Sequence, residues 1–82
     1  MGPTYQPDCD DPTIDFSVSG GSGSVSVNST DDQVSLFYSL VGATSDFQPY
    51  TVPFTVTTPQ DVWAYAAREG FNNSNVVTTT VT

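Results

Sequence analysis

Nine carboxylates, one guanidinium and one thiol make up nearly all the ionisable chemistry of this 82-residue chain, apart from its four tyrosines. The acids are Asp8, Asp10, Asp11, Asp15, Asp31, Asp32, Asp46, Asp61 and Glu69; the base is Arg68 and the thiol is Cys9, with no His and no Lys. Without an imidazole, Ser-His-Asp, Cys-His and His-metal arrangements cannot be assembled. Without Lys there is no Schiff-base nucleophile. Cys9 lies in Pro7-Asp8-Cys9-Asp10-Asp11-Pro12, where neighbouring carboxylates oppose thiolate formation, so it reads as an incidental thiol. Being single, it cannot form an internal disulfide.

Carboxylates alone support two further chemistries. A pair flanking a sugar is the minimum for glycoside hydrolysis, and Asp15, Asp31, Asp32, Asp46, Asp61 and Glu69 are the available acids. A cleft to hold a sugar between two of them is hard to build from so short a chain. Asp8, Asp10 and Asp11, or Asp31 with Asp32, supply hard oxygen ligands for calcium, but no EF-hand or repeat spacing organises them. They read as solvated loop acids. Gly20-Gly21-Ser22-Gly23 has neither the spacing nor the following helix of a phosphate-binding loop. The triplets Asn28-Ser29-Thr30 and Asn72-Asn73-Ser74 match a glycosylation acceptor, a pattern common by chance in Asn- and Ser-rich chains. We therefore expect no enzyme and no cofactor.

The elements that would position these groups are strands. Residues 1–12 hold three prolines and three aspartates without periodicity and predict an extended arm with little contact with its own core, ordered only by a partner. From Thr13 the pattern has period 2: Ile14, Phe16 and Val18 share one face, and Val25 and Val27 resume the alternation after the glycine turn. Gln33 to Val41 is the most apolar run, with Val34, Leu36, Tyr38 and Leu40 inward and Phe37 on the other face. Pro49 to Val56 alternates again, but Pro53 cannot donate to a ladder, so this strand is at an edge or split there. Val62 to Arg68 and Val76 to Val81 complete the set. Strands this short, with turns every eight to twelve residues and no 3.6 period, predict a single all-β domain. The expected fold is an immunoglobulin- or fibronectin III-like antiparallel β-sandwich of six or seven strands over residues 13–82. Its core is predicted at Ile14, Phe16, Val25, Val27, Leu36, Tyr38, Val52, Phe54, Ala64 and Ala66.

Only 12% of residues are charged, and the net charge is -8. That charge repels nucleic-acid phosphates and anionic membrane surfaces, and it suits a soluble module or a basic partner. No apolar run is long enough to span a membrane. After Met1, the residues Gly2-Pro3-Thr4-Tyr5-Gln6 lack the basic start and apolar run of a signal peptide.

The segment Val62-Trp63-Ala64-Tyr65-Ala66-Ala67-Arg68-Glu69-Gly70-Phe71-Asn72-Asn73-Ser74-Asn75-Val76-Val77 resembles the end of chitobiase/β-hexosaminidase C-terminal-type modules. Those modules alternate Val-x-Ala-x-Ala before a short charged stretch, Gly, an aromatic and Asn. Leu36-Phe37-Tyr38-Ser39 and Pro49-Tyr50-Thr51-Val52-Pro53-Phe54 resemble earlier family segments more weakly. The family's Thr-Asp-Gly-Ser-x-Pro turn is missing, since Ser39-Leu40-Val41-Gly42-Ala43-Thr44 stands there. The resemblance implies a non-catalytic fibronectin III/immunoglobulin-like accessory module. Its alternation also implies Val62, Ala64 and Ala66 inward, which leaves Trp63 and Tyr65 together on an outer sheet face, with Phe37 beside them. The alternatives are that the two aromatics face inward with the alanines outward, or that the N-terminal arm covers them.

Exposed aromatics of this kind stack on sugar rings or anchor protein partners. Trp63, Tyr65 and Phe37, with Tyr5 in the arm, are therefore the candidate partner-binding residues. Phe71, after Gly70, is expected to plug one end of the sandwich. Two functions fit. A chain starting at Met1 and ending with its last strand reads as a complete minimal protein, a decoration-type protein on a phage or virus particle. It would sit on the virion surface and bind capsid or a neighbouring subunit, with the arm as the attachment element. The alternative is an accessory spacer or carbohydrate-binding module of a secreted bacterial protein. That module would be extracellular or at the cell surface and bind a glycan.

Overall fold

A computed structural model describes residues 6–82, and all regular structure in them is β. Seven strands form: β1 Thr13–Ser19, β2 Ser22–Asn28, β3 Ser35–Ser39, β4 Gln48–Pro49, β5 Phe54–Thr57, β6 Gln60–Ala67 and β7 Val77–Val81. They make two antiparallel sheets, ordered β1-β2-β5 and β4-β3-β6-β7. Val25 and Val56 of the first sheet pack against Val62 and Val81 of the second. The chain is thus an antiparallel β-sandwich, as expected.

The first hairpin closes between Ser19 and Ser22, with Gly20 at φ 59° and Gly21 at φ 82°. Two consecutive positive φ angles match the right-handed strand twist, and only glycine adopts them cheaply. Gly23, expected in the same turn, belongs instead to β2 and is buried. A Cβ there would collide with Cγ1 of Val81 and lie 3.3 Å from Cγ2 of Thr58. Its role is to let the two sheets approach.

The segment from Pro49 to Val56 splits at Pro53, as its missing N–H predicts. Its halves join opposite sheets, β4 beside β3 and β5 beside β2. This crossing corrects the expectation for Val52, which lies between the sheets' ladders and is 67% exposed. Val25, Val27, Ala64 and Ala66 are buried as expected. Leu36 and Tyr38 face inward opposite Ala66 and Ala64, but they are only half-buried. Tyr38 stacks on Phe54 with centroids 4.2 Å apart, and Tyr50 meets both rings edge-on. Phe16, also expected in the core, is 40% exposed because it lies on β1, the edge strand of its sheet.

Residues 6–12 are not a free arm, contrary to the expectation of little contact with the core. Cys9 and Pro12 are buried. Asn72 is the clamp: its N–H donates to the Pro7 carbonyl, its carbonyl accepts from the Cys9 N–H, and its side-chain amide donates to the Gln6 carbonyl and the Asp8 carboxylate. Asp11 accepts from the Asn75 N–H at 2.9 Å and Asp10 from the Thr30 hydroxyl at 3.2 Å. Ser74 anchors the other side of the same loop, since its N–H donates to the Ala66 carbonyl and its Oγ accepts from the Ala66 N–H.

Two outcomes follow. Gly23→Ala should lower stability by about 1–3 kcal/mol through overpacking against Val81, read as a lower denaturant midpoint at constant slope. Burial, and then the charge of Asp31, push the Cys9 thiol pKa up. The thiolate that reacts with disulfide reagents is correspondingly scarce at pH 8. Cys9 should label more slowly in the native chain than in urea, and Asn72→Ala should speed native labelling by releasing residues 6–12. Equal rates in all three states would sink the clamp.

Candidate partner-binding face

The alternation of β6 decides where its aromatics go. Val62, Ala64 and Ala66 are fully buried, so Trp63 and Tyr65 project from the outer face of the four-stranded sheet. Register brings Phe37 of β3 directly opposite Tyr65 on that face. Their rings stack with centroids 5.1 Å apart and planes 17° apart. Phe47 closes on Tyr65 from the 42–47 loop, edge to face at 4.8 Å. The sequence offered no periodic signal for Phe47, because a loop aromatic has none. Trp63, two residues along, is flanked by Ser39 and Thr78. The structure therefore unites three of the expected residues, Trp63, Tyr65 and Phe37. Tyr5 lies outside the described residues.

One position of this face, opposite Trp63, is polar and satisfied. Ser39 is fully buried; its hydroxyl donates to the Ser45 carbonyl and accepts from the Val41 and Gly42 N–H groups. That one side chain shapes the loop carrying Phe47. At the far end of β6, Arg68 bonds Asp31 at 3.1 Å and sits 4.4 Å over the Phe71 ring. Phe71 is half-buried there, at the sandwich end where it was expected. With 36% and 24% of the two side chains exposed, the ion pair contributes at most about 1 kcal/mol. Its effect is positional, since it holds the β2–β3 connection against the β6 end.

Two shallow grooves flank Phe37. One, of about 490 Å³, is lined by Val34, Leu36, Pro49 and Tyr50 among others. The other, of about 510 Å³, is lined by Gln33, Ser35, Phe37, Ala67, Arg68 and Glu69. Glu69 is the carboxylate that lines the second groove. Among the described residues, no three His, Cys, Asp or Glu side chains converge to hold a metal ion. Asp8, Asp10, Asp11 and Asp31 instead accept hydrogen bonds from their own fold.

The opposite outer face is chemically distinct. Every outward residue of the three-stranded sheet is Ser, Thr, Asn or Asp. Ser17, Ser24 and Thr55 form one cross-strand row, and Ser19, Ser22 and Thr57 the next. Asp15 is the only charge on it and accepts from Asn28 at 2.8 Å.

Outward placement sets the cost of truncation. Trp63→Ala should destabilise by clearly less than the ~3–5 kcal/mol of a core Trp→Ala change. Ala64→Leu, one residue away on the buried face, should cost about 1–3 kcal/mol by overpacking. Denaturation curves of both variants check the assignment, and a full core-sized loss for Trp63→Ala would invert it.

No family model matches the chain, and no match is found among curated proteins or among solved structures. The resemblance at residues 62–77 stands on those residues alone, and the face itself must carry the functional argument.

Proposed function

We propose that this chain is a non-catalytic docking module, a decoration-type protein of a phage or virus particle. It seats the aromatic face of its four-stranded sheet on a protein surface and turns its hydroxyl face to solvent. The observation that carries the reading is this two-facedness. One outer sheet face gathers Trp63, Tyr65, Phe37 and Phe47, while the other is uniformly small and polar. Tyr, Trp and Phe concentrate at interface centres, whereas Ser-rich surface is depleted there. Asp46, Asp61 and Glu69 border the aromatic side in sequence, so a partner with Lys or Arg around an apolar centre fits best.

A second reading, an accessory carbohydrate-binding module, is favoured by one feature. Trp63 is half-buried and has hydroxyl residues rather than rings opposite it on both neighbouring strands, so the exposed part of its indole could meet a sugar. Against it, Phe37 and Tyr65 already stack on one another, so they offer edges more than a platform.

The test is to purify particles made from the genome that encodes the chain and measure its copy number per particle by mass spectrometry. We expect a fixed stoichiometry. Added back to stripped particles, Trp63→Ala should bind at least about 30-fold more weakly, corresponding to about 2 kcal/mol. Ser24→Ala, on the hydroxyl face, should bind like the parent. Absence from particles, together with a Trp fluorescence shift on adding chitohexaose, would replace this reading with the second.

A further inference from the structure

β1 is the free edge of the three-stranded sheet. It pairs with β2 along all seven residues, from Thr13 opposite Asn28 to Ser19 opposite Ser22, and nothing among the described residues pairs with its other side. Among the described residues no backbone group pairs with its outer rim, although β7 of the other sheet runs close to β1. Natural edges are usually blunted by Lys, Pro, a bulge or shortness. Thr13–Ser19 has an unbroken register, seven residues, no Lys, no Pro and one charge, Asp15. Register places Phe16 and Val18 on the inward face, opposite Val25 and Gly23, yet they are 40% and 39% exposed. Val76, just before β7 at the edge of the other sheet, is 41% exposed.

We infer that β1 pairs antiparallel with β1 of a second copy of this chain, about a two-fold axis through Phe16, joining two three-stranded sheets into one of six strands. The register is self-complementary. Centred on Phe16, it sets Ile14 against Val18 of the second copy and Phe16 against its counterpart, all on the inward face. It sets Asp15 against Ser17 of the second copy, so the strand's only charge meets a hydroxyl and not another carboxylate. Charge distribution selects the same direction. Asp8, Asp10, Asp11 and Asp15 lie at or before the start of β1, while Phe16 to Thr30 contains no charged residue. Antiparallel pairing lays each acidic end beside the other copy's neutral Gly20–Gly21 tip, whereas parallel pairing brings the acids together. Such an isologous contact closes at two copies.

An edge of seven residues falls at the low end of interface sizes, below about 1,200 Å², and each copy carries a net charge of -8. The dimer is therefore weak, with a Kd on the order of 100 μM, and tightens with salt as repulsion is screened. Because the axis runs normal to the joined sheet, both aromatic faces point to the same side. If that face docks as proposed above, the dimer binds bivalently; the pairing itself does not depend on that reading.

Sedimentation equilibrium of the purified chain, taken into the millimolar range at low and high salt, tests the pairing. We expect a monomer–dimer equilibrium that tightens at least about threefold with salt. Phe16→Lys puts an inward-pointing charge on the edge and should leave a monomer throughout. Val18→Lys provides the same block if Phe16→Lys fails to fold. Ser24→Lys, with the same charge change on the central strand's outer face, should dimerise at least as well as the parent. The inference is overturned by a parent that stays monomeric, by an edge variant that dimerises like Ser24→Lys, or by a dimer that Trp63→Ala abolishes.

Discussion

The close approach of the two sheets at Gly23 governs the rest of the molecule. No side chain fits between the β2 backbone and Val81 at that point, and the fully buried positions around it are Val25, Val62, Ala64, Ala66 and Val81. A core of valine and alanine is thin, and Phe54, which packs against it, is only half-buried. Accordingly, none of the nine described aromatic residues is fully buried. Tyr38, Phe54 and Tyr50 cluster where Ala64 and Ala66 leave room, Phe16 lies at the β1 edge, and Phe37, Phe47, Trp63 and Tyr65 stand on an outer face. The module's surface chemistry is thus a consequence of how little its core accommodates.

A thin core offers modest hydrophobic stabilisation, and hydrogen bonds fasten the periphery. Asn72 and Ser74, two residues apart in one loop, hold residues 6–9 on one side and the end of β6 on the other. Each donor and acceptor they satisfy would otherwise be stranded against a half-buried surface. Among the described residues, no buried side-chain nitrogen or oxygen lacks a partner. The acids do similar work. Asp8, Asp10 and Asp11 receive hydrogen bonds, and Asp31 receives the chain's one guanidinium. Much of the acidic character therefore serves as a set of clips around the arm and loops.

Sheet geometry converts these constraints into a directional object. Alternation along β6 separates core from contact face residue by residue, and register with β3 assembles the aromatic cluster from positions 28 residues apart. The same alternation leaves the other sheet's outer face to Ser and Thr. A module with one aromatic face and one hydroxyl face has a preferred way to sit on a surface, which suits docking better than spacing.

The sequence by itself determined the strands, because period-2 alternation is local: Val25 and Val27 were legible as buried, while only the resemblance at residues 62–77 favoured Ala64 and Ala66 inward and Trp63 and Tyr65 outward. It also determined the break at Pro53, since a missing N–H needs no tertiary context. Tertiary structure decided what depends on neighbours. Val52 and Phe16 carry the same alternation as the core, but one lies in a crossing between sheets and the other on an edge strand. Gly23 looked like a third turn glycine until Val81, 58 residues later in the chain, came against it. Residues 6–12 have no periodic signal, and only folding brings Asn72 within reach of their backbone. Phe47 joined the aromatic face for the same reason. Local pattern fixes the side of a strand on which a residue lies; what covers that side is set by packing between residues far apart in sequence.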